Sequence, residues 1–152
     1  MLTYQDLKSS LTCGDDEPSL KPLWACAHDD DRDAAKELIW KLLEDVETSV
    51  RVQFACTIYL GYLGDVRVTQ RLRLGYSAPM SVQNFGYVVA LANLNELDAL
   101  LLLRDELTSP KDEYSTLRIL GCTRNCTQFE DCDNTSELVS RISGLILKLK
   151  RT

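Results

Sequence analysis

Apolar positions recur every three or four residues along nearly the whole chain. Between Asp33 and Val46, residues Ala34, Ala35, Leu38, Ile39, Leu42, Leu43 and Val46 follow the i, i+3, i+4, i+7 template, which gathers them into one stripe on a helix. Charged Asp33, Lys36, Glu37, Lys41, Glu44 and Asp45 occupy the rest of that surface. The strand signal is weak. No Asn-Gly or Asp-Gly turn joins two alternating runs, and β-branched residues are not concentrated. Breakers at Gly14, Pro18, Gly64, Gly75, Pro79, Pro110 and Gly121 cut the chain into helices of roughly 10–16 residues. The chain reads as all-α.

The even spacing of the breakers hides a repeat. Sliding the chain by 31 residues lays Phe54-Ala55-Cys56-Thr57-Ile58-Tyr59-Leu60-Gly61-Tyr62-Leu63-Gly64-Asp65 over Phe85-Gly86-Tyr87-Val88-Val89-Ala90-Leu91-Ala92-Asn93-Leu94-Asn95-Glu96. Aromatic meets aromatic, Leu60 meets Leu91, Leu63 meets Leu94, and small Gly61 meets small Ala92. Asp33, Asp65 and Glu96 each open a further segment of about a dozen residues with helical spacing. Helix, tight turn and second helix at a 31–32-residue period form the unit of an α-solenoid. Small residues such as Ala55, Gly61, Gly86 and Ala92 let helices approach closely. Gly64 accepts φ > 0 after one helix, and Asp65 caps the next. Four antiparallel pairs are expected near 19–46, 48–75, 79–107 and 111–150, in one domain, after a leading helix near 3–12 that Thr3-x-x-Asp6 caps. Each pair leaves an apolar flank for the next pair to cover, so the array should hold through neighbour contacts. The fourth pair is irregular, because a loop near 122–134 replaces the short turn. It is either functional or an end cap on which nothing stacks.

The run Ser49-Val50-Arg51-Val52-Gln53-Phe54-Ala55, followed by Leu60-Gly61-Tyr62-Leu63-Gly64-Asp65, resembles the HEAT and phycobilisome-lyase-like helical repeat. The resemblance is best in 48–75, fair in 79–107 and degenerate in 19–46 and 111–150. It departs from the usual pattern at Val82-Gln83, where Val-Arg is typical, and at Asn95-Glu96, where Gly-Asp is typical. It implies a short right-handed α-solenoid of about four HEAT-like hairpins. The repeat specifies packing and no chemistry, so it implies no catalytic residue.

Composition narrows the function. The 152 residues are 45% hydrophobic and 26% charged, enough apolar material for one core without a metal or disulfide. Seventeen Lys and Arg against 23 Asp and Glu leave a net charge of −6, which argues against a phosphate-binding face and against docking on an anionic membrane. The acidity is uneven: residues 1–47 hold 12 acids and 5 bases, 48–80 hold 1 acid and 4 bases, and 81–152 hold 10 acids and 8 bases. The basic middle comes from Arg51, Arg67, Arg71 and Arg73, whose guanidiniums either pair with acids of neighbouring helices or face a partner. The N-terminus shows no basic segment followed by an apolar run, and the uncharged stretch Tyr76–Asn95 is too polar to span a bilayer. A cytoplasmic protein is expected.

Candidate chemistry is sparse. Cys13, Cys26 and Cys56 read as reduced thiols in that compartment, the last two in apolar helical runs, and the three loop cysteines read the same unless export allows a disulfide within the loop. Cys122, Cys126 and Cys132 have a weak zinc-like spacing that lacks a local fourth ligand. The sole histidine, His28, sits at a helix end among carboxylates and is read as a surface residue. No phosphate-cradling Gly-rich loop occurs. Asp131, Asp133 and Glu137 lack the Gly and closing spacing of a calcium loop. The expectation is therefore a non-enzymatic protein-binding module without cofactor. It would be an inhibitor or immunity-type protein that meets a basic partner such as a toxin through Asp15, Asp16, Glu17, Asp29, Asp30 and Asp31, with Arg67, Arg71 and Arg73 as further candidates. The alternatives are a HEAT-like lyase or nucleic-acid binder using the concave groove, and a scaffold that self-associates through the segment from Met80 to Leu94.

Overall fold

A computed structural model describes residues 3–12, 21–28, 30–74 and 85–151. Every regular element among them is helical. Helix α1 spans Tyr4–Thr12, α2 Lys21–Ala27, α3 Arg32–Glu44, α4 Val50–Tyr62, α5 Thr69–Leu74, α6 Phe85–Asn93, α7 Leu97–Thr108, α8 Ser115–Thr123 and α9 Thr135–Lys150. A 3-10 turn, Val66–Val68, leads into α5. No helix among the described residues is long and apolar enough to cross a membrane.

Short polar side chains start the helices by taking up unpaired backbone N–H groups. The Asp6 N–H donates to Thr3 Oγ1 at 3.1 Å while the Thr3 N–H donates to Asp6 Oδ2 at 3.3 Å, a reciprocal capping box. Asp31 accepts from Ala34, Ser49 from Val52 and Asn134 from Glu137. Asp31 therefore opens α3, two residues before Asp33. Glu96 precedes α7 but makes no capping hydrogen bond, because its carboxylate is held by Arg73 at 2.9 Å.

The turns after α4 and α6 share one hydrogen-bonded motif, 31 residues apart. Gly64 N–H donates to Gly61 and Asp65 N–H to Leu60; Asn95 N–H donates to Ala92 and Glu96 N–H to Leu91. These are the two bonds of a Schellman cap, which needs a left-handed residue. Gly64 supplies it at φ 81° and Asn95 at φ 64°. Asparagine tolerates that region through its short polar side chain, so Asn-Glu replaces Gly-Asp without changing the turn.

Helices α2, α4, α6 and α8 lie in a continuous row, each against the next. Helix α6 is buried on almost every side, with only Gly86 partly exposed between Phe85 and Asn93. It offers no open face for a second copy of the chain. The second row is interrupted. Counting the 3-10 turn, the helical stretch after Asp65 has nine described residues, and α5 packs on α4 and α6. Two arginines span the gaps instead. Arg67 pairs with Glu37 of α3 at 2.9 Å, and Arg73 with Asp98 of α7 at 2.8 Å. Helix α9 lies along α7, and α8 rests on α6 and α7. The last two helices are thus joined mainly through the third pair.

Close approach is strictest between α4 and α6. A Cβ on Gly61 would lie 2.7 Å from the Ala90 Cβ, well inside contact distance. Gly86 differs from expectation, since a Cβ there would meet Ile58 at an ordinary 3.5 Å. The aligned pair Phe54 and Phe85 also part company: Phe85 is buried and Phe54 is 49% exposed.

The segment between α8 and α9 departs from a file of independent pairs. Residues 124–131 form a run of turns whose Cys126 and Phe129 are fully buried. Asn93, 3% exposed, anchors it. Its Nδ2 donates to Gly61 O and Tyr62 O at 2.8 Å, and its Oδ1 accepts from Gln128 N–H at 3.0 Å. Thr127 N–H donates to Tyr62 O, and Gln128 Nε2 to Asn95 Oδ1. Arg141 of α9 pairs with Asp131 at 3.0 Å. At the far side, Arg32 pairs with Glu130 at 2.6 Å, and a His28 ring nitrogen lies 2.9 Å from Asn125 Oδ1. The segment is a strap tying the last pair to all three others. This corrects the expectation of neighbour contacts alone.

Candidate functional site

The described residues among those singled out by sequence do not all gather at one site. Asp15, Asp16, Glu17 and Asp29 lie outside the described residues. Asp30 is exposed in the bend after α2, and Asp31 caps α3. Arg67 is held by Asp65 at 2.7 Å and by Glu37, with its guanidinium 4.5 Å from the Trp40 ring centre. Arg71 lies over the same ring at 5.8 Å. Burial alone would raise the Asp65 carboxyl, but donors from Arg67 pull it below the ordinary carboxylate range. Arg73 is clamped between Glu96 and Asp98. The structure thus commits Arg67 and Arg73 to ion pairs within the chain.

Cys13 lies outside the described residues, and the five described cysteines pack in or against the core. Cys26, Cys56, Cys126 and Cys132 are buried, Cys122 is partly so, and all five are free thiols. Burial pushes the Cys56 thiol up to about 12 and raises Cys122, Cys126 and Cys132 as well. Among the described residues, no three His, Cys, Asp or Glu side chains gather as a metal site. His28 ends α2 with one ring nitrogen 2.8 Å from Trp24 O and packs its ring on the Trp24 indole.

The most distinctive surface lies elsewhere, on the row of first helices. Helix α4 is apolar on two faces. Val52, Ala55, Cys56 and Leu60 enter the core, while Val50, Phe54 and Ile58, spaced i, i+4 and i+8, form a second stripe that reaches the surface. Between this stripe and Trp24 of α2 runs a groove of about 430 Å³. Phe54, Ile58 and Tyr59 line it from α4, Trp24 from α2 and Asn125 from the strap, with Arg51 at its α4 end.

Each ring of the groove has a brace. Trp24, 49% exposed, stacks on His28 at a centroid distance of 4.1 Å. Phe54 meets Tyr87 edge-on at 4.6 Å, and Tyr59 meets Tyr62 at 6.1 Å. Aromatic pairs in such geometries add ~0.5–1.5 kcal/mol beyond their buried area, so the rings are held in place before anything binds. Burial raises the Tyr59 and Tyr62 phenols, which keeps both neutral and leaves Arg51 as the charged residue of the lining. The fixed surfaces of Trp24, Phe54 and Tyr59 make the groove mostly apolar. The charge runs of the sequence do not mark this site. The second apolar stripe of α4, beyond what one buried face needs, was the signal for it.

No protein-family model, no curated protein and no solved structure matches the chain.

Proposed function

We propose that the protein is a non-enzymatic protein-binding module, a short right-handed α-solenoid of HEAT-like hairpins. It works as a cytoplasmic inhibitor or immunity-type protein that holds a basic partner in a stoichiometric complex. The continuous row of first helices and the Schellman cap repeated at 31 residues support the repeat reading. The braced aromatic groove carries the binding reading. Trp24 and Phe54 are rigid, half-exposed rings, and large aromatic side chains held in one place bury much area at little entropic cost. The net charge of −6, concentrated in residues 1–47, supports a basic partner through long-range steering. The ion pairs that occupy Arg67 and Arg73 weigh against a nucleic-acid groove.

Affinity purification followed by identification of the bound protein tests the proposal. Calorimetry on the purified pair should give one partner per chain. Replacing Trp24 and Phe54 together by Ala should weaken binding by ~2 kcal/mol or more, chiefly through the dissociation rate. Neutralising Asp15, Asp16, Glu17, Asp29, Asp30 and Asp31, with Asp31→Ser to keep the α3 cap, should slow association and flatten its salt dependence. A double aromatic variant that binds like the wild type removes the groove from the proposal.

A further inference from the structure

We propose that the outward face of α8 is a self-association surface, and that its occupant is α8 of a second copy of the chain, laid antiparallel across a two-fold axis. The proposal does not depend on the groove between α2 and α4. Helix α8 packs mainly on α6 and α7. Its Ser115, Ile119 and Thr123, spaced i, i+4 and i+8, are buried and form the inner stripe. Tyr114, Leu117, Arg118, Gly121 and Arg124 are all exposed, with Tyr114 at 59% and Leu117 at 66%. Their spacings of three and four place these five on one face. In the row of first helices, α4 packs on α2 and α6, and α6 on α4 and α8. The last member of such a row leaves open the side that a further unit would cover.

Charge and shape select a copy of the same face. Glu113 stands just before the helix and Arg124 just after it, both exposed. Neither forms an ion pair with another of the described residues. Tyr114 and Arg124 both keep helical dihedrals, so the eleven residues from Glu113 to Arg124 turn about three times and end only about 20° apart. The acid and the base therefore share one edge of the face, at opposite ends. A two-fold axis across the middle of α8 reverses the helix and keeps its edges, which sets each Glu113 level with Arg124 of the second copy, twice over. The same operation, centred near Ile119, lays Leu117 over Gly121 of the second copy. Gly121 has the room, because a Cβ there would meet nothing within 4 Å. A partner of one sign would leave one end of the face unmatched, whereas a face with both signs at symmetric ends matches itself. Arg118 lies on the other edge, where the two copies meet as like charges. The net charge of −6 on each chain also opposes association. One nine-residue helix per copy covers less than the ~1,200 Å² of a standard interface, so the expected dimer is weak.

Sedimentation equilibrium of the full chain, from ~10 μM to ~1 mM to cover a weak dimer, tests this. The average mass should climb toward that of two chains as concentration rises. Gly121→Gln, whose Cβ has no neighbour within its own chain, and Leu117→Glu should each remain a single chain throughout. Glu113→Arg and Arg124→Glu should each weaken the dimer about ten-fold or more by setting like charges against each other. The double reversal should return it to within about three-fold of the wild type, since the pairing is restored with its signs exchanged. Far-UV circular dichroism shows that each variant remains helical. A single chain at every concentration overturns the proposal and leaves the face to solvent or to a different protein. A dimer that Gly121→Gln and Leu117→Glu leave intact overturns it as well, and so does a double reversal that dissociates like the single ones.

Discussion

Gly61 shows how much one missing atom can decide. The α4 and α6 backbones pass so closely there that a methyl group would sit 2.7 Å from the Ala90 Cβ and 3.1 Å from a Leu72 methyl. Gly61→Ala should destabilise the protein by ~1–3 kcal/mol through overpacking, measured as a lower urea midpoint. Gly86→Ala, where ordinary contact distances await the new atom, should stay within ~0.5 kcal/mol. The two glycines look alike in sequence, since both begin as the small member of an aligned pair. Only the distance to the facing helix separates them, and spacing along one helix holds no information about the height of another. Phe54 and Phe85 make the same point. They are aligned, yet one faces the core and the other faces water.

At the level of elements, helix type and turn chemistry were readable because they are local. The stripe on α3, the Thr3 and Asp6 cap and the left-handed residue after α4 depend on neighbours within a few positions. The strap was not readable for the opposite reason. Its bonds reach from Asn93 to Gln128 and from Arg32 to Glu130, a separation of 98 positions in the latter case, and no period of three, four or 31 registers such a pairing. The groove was half readable, since the outer stripe of α4 can be counted but its partner Trp24 lies on another helix. A hydrogen-exchange experiment checks the strap. Asn93→Ala takes the acceptor of the Gln128 amide and one donor each from Gly61 O and Tyr62 O, and a buried polar group left without a partner costs ~1–3 kcal/mol. The variant should lose global stability, and the Thr127 and Gln128 amides should exchange much faster than those of α6. Protection unchanged at both amides would show that the strap does not depend on Asn93.

For the whole molecule, the ion pairs set the acid limit. Arg73 holds the Asp98 carboxyl, Arg141 that of Asp131, and the Tyr4 hydroxyl with Lys8 that of Asp45, each below the ordinary carboxylate range. A depressed folded value means that the stabilisation is complete above the unfolded value of ~3.9 and disappears as pH falls through the folded one. The melting temperature should therefore drop as pH is lowered from ~5 through 4 and below. An Asp45→Asn, Asp98→Asn variant should be less stable at neutral pH and show a flatter acid limb, and an unchanged limb would discount these pairs. At the alkaline end, burial and the Asp45 hydrogen bond push the Tyr4 phenol up to about 12, so its contribution is present below ~10 and fades as pH rises beyond it.

Because His28 and Arg32 are bonded to residues 97 and 98 positions later, the chain cannot be shortened from its C-terminus one pair at a time. In a linear array, removing the terminal unit leaves the remainder nearly intact and melting proceeds by fraying from the ends. Here the first pair is bonded to the strap, so deletion of α9 and the strap should take contacts from the first pair as well as from the third, and melting should be all-or-none. During synthesis the stitch cannot close until Asn125 and Glu130 have left the ribosome.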